Sequence, residues 1–105
     1  MEEKVVELEG KRVIVKPAPA TVGYDIALRY RDAMGDEQNK GDPEELQKCL
    51  YGLLKYAELD LGDGRMVKLD NKMIIDQHFK RPQSLIALQK ATVEVNFGFL
   101  ANSTL

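Results

Sequence analysis

Residues 42–69 read DPEELQKCLYGLLKYAELDLGDGRMVKL, and two different periods meet inside this stretch. Asp42 stands where an N-cap carboxylate can accept from orphan amides, Pro43 brings a helical φ to the first position, and Glu45 follows the cap by three residues as an acidic capping-box analogue. Leu46, Cys49, Leu50, Leu53 and Ala57, with Leu54 on the flank, recur at helical spacing and predict one broad buried face that ends near Ala57. Beyond it, Leu59-Asp60-Leu61, the turn Gly62-Asp63-Gly64 and Met66-Val67-Lys68-Leu69 read as a second short hairpin, though a loop would leave the same pattern. The expected fold is therefore α+β and mainly α-helical: an N-terminal hairpin, about four helices, and this second hairpin between the second and third.

Toward the N-terminus, Val6 and Leu8 alternate with charged residues, Glu9-Gly10-Lys11 makes a turn, and Val13 and Val15 resume the alternation, which predicts a hairpin with one apolar face. Pro17 and Pro19 close it, because proline lacks the N–H that a continuing strand needs. A helix is expected from Thr21 as cap, with Val22, Ile26, Tyr30 and Ala33 on one stripe, Tyr24 and Leu28 on the other side, and a stop at Gly35. The segment from Gly35 to Gly41 has no apolar residue and is expected to be a solvated, mobile loop.

Toward the C-terminus, Asp70 or Asn71 can cap a short third helix holding Ile74, Ile75, His78 and Phe79, and Pro82 opens a fourth that should run to about Asn96. At 100° per residue this last helix carries two apolar stripes on opposite sides, Leu88, Ala91 and Val95 on one and Ile86, Val93 and Phe97 on the other. Either the helix is central and buried on all sides, or one stripe is available to another chain. Residues 97–105 begin apolar and end polar, as expected of a docked segment followed by a frayed end.

A length of 105 residues suits one domain spanning 1–105, and 44% hydrophobic with 30% charged residues is enough for a core and for solubility. The net charge of −2, without a basic stripe, disfavours nucleic-acid binding. No apolar run approaches the about 20 residues of a membrane span, and Met1-Glu2-Glu3-Lys4 is acidic where a signal peptide would be basic. The single cysteine, Cys49, falls on a helical apolar face and reads as a small buried hydrophobe. The single histidine, His78, excludes His-pair metal sites and reads as a packing residue. Residues 60–71 lack the alternating ligands of a calcium loop and have Asn71 where its closing glutamate would stand. No phosphate-binding glycine loop and no acid, base and nucleophile constellation is visible, so neither a cofactor nor catalysis is expected. What remains informative is apolar: the second stripe of the last helix, Tyr24 and Leu28, and Phe99-Leu100.

The order of these elements resembles a family. The N-terminal VVELEGKRVIVKPAPATVGYDIALRY is similar to the short hairpin, P-x-P-A bend and first helix of the tail assembly chaperones of long-tailed bacteriophages. LLKYAELDLGDGRMVKLDNKMIIDQHFKRPQSLIALQKATVEVNFGFL resembles them further, in its DLGDGR turn, in the helix with Ile75-Asp76-Gln77-His78-Phe79, and in the closing NFGF at Asn96 to Phe99. The likeness covers most of the chain and rests on pattern, without an active-site motif.

The resemblance implies a protein of the host cytoplasm that coats and solubilises the tape measure protein of a non-contractile, siphovirus-type tail. It implies recruitment of tail tube protein, self-association into a homo-oligomer, and absence from the finished particle. It also leaves open a longer, frameshifted form of the chain as a further partner. Ile86, Val93, Phe97, Phe99 and Leu100 are the candidate contact residues for self-association or client binding, and the same residues could instead fill the core. A small structural head–tail connector or tail completion protein of the virion is the alternative from another class.

Overall fold

Each hairpin is drawn tight by its turn. In the computed structural model, which describes the backbone of residues 3–101 and the side chains of residues 3–98, strands β1 (Lys4–Leu8) and β2 (Lys11–Val15) pair in antiparallel register with Val6 opposite Val13 and Leu8 opposite Lys11. Glu9 and Gly10 between them both have positive φ, 52° and 75°, the geometry of the two-residue turn that matches the strands' right-handed twist. The second hairpin also forms, from β3 (Ala57–Asp60) and β4 (Met66–Lys68). The two hairpins do not stand apart: β2 pairs β3, with Val13 opposite Leu59 and Val15 opposite Ala57, giving one four-stranded antiparallel sheet in the order β1-β2-β3-β4.

Four helices complete an α+β fold: α1 (Ala20–Met34), α2 (Pro43–Leu54), α3 (Lys72–His78) and α4 (Pro82–Ala101). Asp42 caps α2 as its sequence predicts, its carboxylate accepting from Glu45 N–H at 3.1 Å. The Glu45 side chain does not complete a capping box. It accepts instead from Arg29 Nε at 2.9 Å and Nη2 at 2.7 Å, tying α2 to α1. Asn71, rather than Asp70, caps α3 by accepting from Ile74 N–H.

Several boundaries differ from the sequence reading for local physical reasons. α1 begins one residue before Thr21, with Pro19 in the cap position and no side-chain cap bond; the Pro19 carbonyl accepts from Gly23 N–H at 2.8 Å. Ala57 is not the last turn of α2 but the first residue of β3, fully buried, because the sheet partner Val15 competes for its backbone. α4 continues past Asn96 to Ala101, and Gly98 does not stop it, since its φ is not positive; residues 102–105 of the expected frayed end lie outside the described residues.

The 35–41 loop is exposed as expected, and it folds closely back on itself. Gly35 has φ 76°, and a Cβ there would lie 2.5 Å from Gly41 N, while one on Gly41 would lie 2.8 Å from the carbonyl oxygens of Ala33 and Met34. Asp42 N–H donates to Ala33 at 2.7 Å, and the Asp36 carboxylate accepts from the N–H groups of Gln38 and Asn39. Two glycines therefore let the loop fold back onto the end of α1.

The core comprises two clusters, and α4 lies between them. One joins the inward face of the sheet (Val13, Val15, Ala57, Leu59) to Leu54, Leu69, Ile75, Phe79 and the α4 stripe of Leu88, Ala91 and Val95. The other joins α1 and α2, through Ile26, Ala27, Cys49 and Leu53, to Phe97. The opposite face of the sheet, with Val5, Arg12 and Met66, meets solvent, as one face of an antiparallel sheet can.

Glu9 fastens the sheet to the start of α4. Its carboxylate accepts from Lys80 N–H at 2.9 and 3.0 Å and from Arg81 N–H at 3.2 Å, the backbone amides that lead into the helix N-terminus. The Lys80 amide, the Ser84 hydroxyl and the Arg81 amide hold this carboxyl below the usual glutamate range. A lowered folded pKa contributes stability that is fully present above the unfolded pKa and is lost as pH falls through the folded one. Replacing Glu9→Gln should accordingly lower the melting temperature at neutral pH, and the gap to the wild type should close on acidification through the carboxylate range. Thermal denaturation of both proteins across that range checks this; a gap independent of pH would mean that the charge has no part in the clasp.

Candidate protein-binding surface

Helix α4 is buried on more sides than an amphipathic helix, and the polar residues on it show how. Gln89, Thr92 and Asn96 lie along one line of the helix and are all buried, with Thr92 wholly so. Thr92 donates to the Gln89 carbonyl at 2.7 Å and Asn96 Nδ2 to the Thr92 carbonyl at 2.8 Å. Asn96 Oδ1 accepts from Ala18 N–H at 2.8 Å, holding the Pro17–Pro19 bend against α4, and Gln89 Nε2 donates to Gln47 Oε1 on α2 at 3.0 Å. Among the described residues, no buried side-chain nitrogen or oxygen lacks a partner. The polar line can therefore separate the two apolar clusters without an unpaired group.

The second stripe of α4 consequently splits. Phe97 is 4% exposed and stacks obliquely on Tyr30, with ring centroids 5.2 Å apart, so it belongs to the core and offers no surface. Val93 is half-buried and packs on the same cluster. Ile86, two turns before Val93, is 62% exposed. Phe99 and Leu100 continue α4, and their side chains lie outside the described residues. Of the five candidate contacts, Ile86 alone is placed as a free apolar group by the described side chains. On α1, Tyr24 is also well exposed, and Leu28 is half-buried.

The sequence reading missed a groove between α2 and α3 of about 530 Å³. One wall is a face of α2, with Lys48, Tyr51, Gly52 and Lys55, and the other is formed by Leu69, Lys72 and Ile75. Lys72 extends over the Tyr51 ring, its ammonium 4.8 Å from the centroid, a geometry in which the ring's electron-rich face attracts the cation. A signal was present: Lys48 and Lys55 are seven residues apart, two helical turns, with Tyr51 between them on the side of α2 away from Cys49 and Leu53. Gly52 was a second signal, since a helix-interior glycine destabilises by roughly 0.5–1 kcal/mol relative to alanine.

The other candidate chemistry resolves into structure. The Cys49 thiol is buried, and burial pushes its pKa up, the reverse of an activated nucleophile. In the 60–65 turn, Asp60 accepts from Gly62 N–H and Asp63 from Arg65 N–H and Nε, so both carboxylates serve the turn. Among the described residues, no group of three or more His, Cys, Asp or Glu is placed to hold a metal ion, and no helix is long and apolar enough to cross a membrane. No family model matches the chain, and neither does any curated protein or solved structure.

The split of the second stripe gives an expected contrast in stability. Phe97→Ala should destabilise the protein by about 3–5 kcal/mol, as large-to-small changes at buried aromatics do. Ile86→Asp should stay within about 0.5 kcal/mol, as exposed substitutions do. Urea denaturation of the two variants checks this; a comparable loss at Ile86 would place it in the core.

Proposed function

We propose that this protein acts by binding, as a tail assembly chaperone of the siphovirus type. It holds the tape measure protein in solution in the host cytoplasm and helps recruit tail tube subunits, and it catalyses no reaction. The observation that carries the reading is the surface distribution of apolar side chains. Met34, Met66 and Met73, every methionine whose side chain is described, are exposed, together with Tyr24 and Ile86, and the α2–α3 groove adds an apolar concavity. Methionine is flexible and polarisable and so fits irregular apolar partners. A chaperone of a long helical client needs such surface, with charge around it to limit indiscriminate association.

The sequence resemblance supplies the particular client. It spans the DLGDGR turn, here the β3–β4 connection, the α3 segment Ile75-Asp76-Gln77-His78-Phe79, and the Asn96-Phe97-Gly98-Phe99 stretch of α4. In this structure those motifs are largely architectural. Asp60 and Asp63 build the turn, Ile75 and Phe79 fill the core, and Asn96 holds the proline bend.

Co-expression with the tape measure protein of the same genome tests the proposal. The expected outcome is a soluble complex that co-purifies at fixed stoichiometry, with no chaperone in purified virions. A tape measure protein that still precipitates, with this chain found in virions, would favour a structural connector or tail completion role.

A further inference from the structure

We propose that the α2–α3 groove is the docking site for an amphipathic helix of a partner protein, one whose apolar anchors are flanked by carboxylates seven residues apart. This rests on the binding reading above and assigns it a surface different from α4.

Length, floor and charge all point to that occupant. The groove follows α2 from Glu44 to Lys55, about 16 Å at 1.5 Å per residue, which accommodates about three turns of a helix. Its floor is apolar: the half-buried Tyr51 ring gives it accessible apolar area, and Leu69 and Ile75, buried in the core, close the bottom beneath that ring. At Gly52 the α2 backbone is bare. A Cβ there would meet nothing nearer than Ile26 Cδ1 at 3.5 Å, an ordinary contact, so internal packing does not require a glycine at this position. Gly52 also lines the groove, where the missing side chain leaves room for close approach.

The rim carries three lysines against two carboxylates. Lys48 lies on α2, Lys55 continues its helical backbone as the C-cap, and Lys72 faces them from α3, all three exposed. The ion pairs among the described residues use Lys4, Lys16, Arg29, Arg31 and Arg65, and none uses these three lysines. Two carboxylates also line the groove. Glu44 sits in the first turn of α2, where the helix dipole favours it, and Asp70 accepts from Asn71 Nδ2 at 3.3 Å. Lys48 and Lys55 are separated by two helical turns, so a helix lying along α2 matches them with carboxylates at i and i+7. Buried apolar anchors would supply most of the affinity, and the charges would set register and partner choice.

The test uses the full chain and two synthetic amphipathic peptides of equal length and apolar pattern, one with glutamates at i and i+7 beside the apolar stripe and one with lysines there. Fluorescence anisotropy should show binding of the acidic peptide only, weakening as salt is raised. The double variant Lys48→Glu with Lys55→Glu should weaken it at least about tenfold at unchanged melting temperature. Gly52→Ala should raise the melting temperature and still weaken the peptide, a combination that a purely structural glycine would not give. Equal binding of both peptides, no binding of either, full retention by the double variant, or displacement by a single-stranded oligonucleotide would each overturn the proposal. The same variants are then co-expressed with the tape measure protein. If the wild type captures that protein and the double variant captures it equally, the groove assignment fails while the chaperone reading stands. If the peptide result holds but the wild type captures no tape measure protein, the groove stands and the chaperone reading fails.

Discussion

One helix must serve two hydrophobic clusters at once, and that constraint organises the molecule. α4 turns Leu88, Ala91 and Val95 toward the sheet and Phe97 toward α1 and α2. A helix with apolar groups on opposite sides has to be packed on both, so the sheet lies against one side of α4 and α1 and α2 against the other. The buried polar line of Gln89, Thr92 and Asn96 follows from the same constraint. It runs between the clusters, and each of its groups bonds either to α4 itself or to an element that must be held against α4.

A central helix also needs its ends settled. At the N-terminus the solution is a carboxylate from the opposite end of the chain: Glu9, on the turn of the first hairpin, accepts from the amides of Lys80 and Arg81. The turn places a glutamate at φ 52°, a region that asparagine or glycine occupies more readily, and the reach of the longer side chain is what the clasp uses. Further along, the Lys4–Glu94 ion pair again joins β1 to α4. Both side chains are nearly half exposed, so that pair contributes little to stability compared with the burial beneath it.

With most apolar side chains of α4 committed to the two clusters, most surface for other molecules has to come from elsewhere. Phe97 is committed to the core and Val93 is half-covered, which leaves Ile86 as the outward remnant of the second stripe. Meanwhile α2 turns Cys49 and Leu53 toward α1 and leaves Lys48, Tyr51 and Lys55 on the side facing α3. Because α3 has only seven residues, it covers part of that side and leaves a groove. The packing of the core and the availability of the groove are thus two results of the same arrangement of helices.

What the sequence determined by itself was local. Asp42-Pro43 marks a helix start, Glu9-Gly10 and Gly62-Asp63-Gly64 mark hairpin turns, and the Leu46-to-Leu53 period marks a buried face; each depends on residues within a few positions of one another, and each is realised. The two stripes of α4 were legible too, as a choice between a central helix and a helix with a free face. Tertiary structure decided that choice, since it depends on where α1 and the sheet lie. It also moved Ala57 from the helix to a strand, because the pairing with Val15 spans two intervening helices and leaves no trace in the local period. The groove escaped the sequence reading for the same reason: Tyr51 and Lys72 lie 4.8 Å apart in space, yet only the docking of α3 beside α2 brings them together. Caps, turns and periodicity are energies of neighbouring residues, whereas concavity and the sharing of a helix between two cores are properties of how distant segments meet.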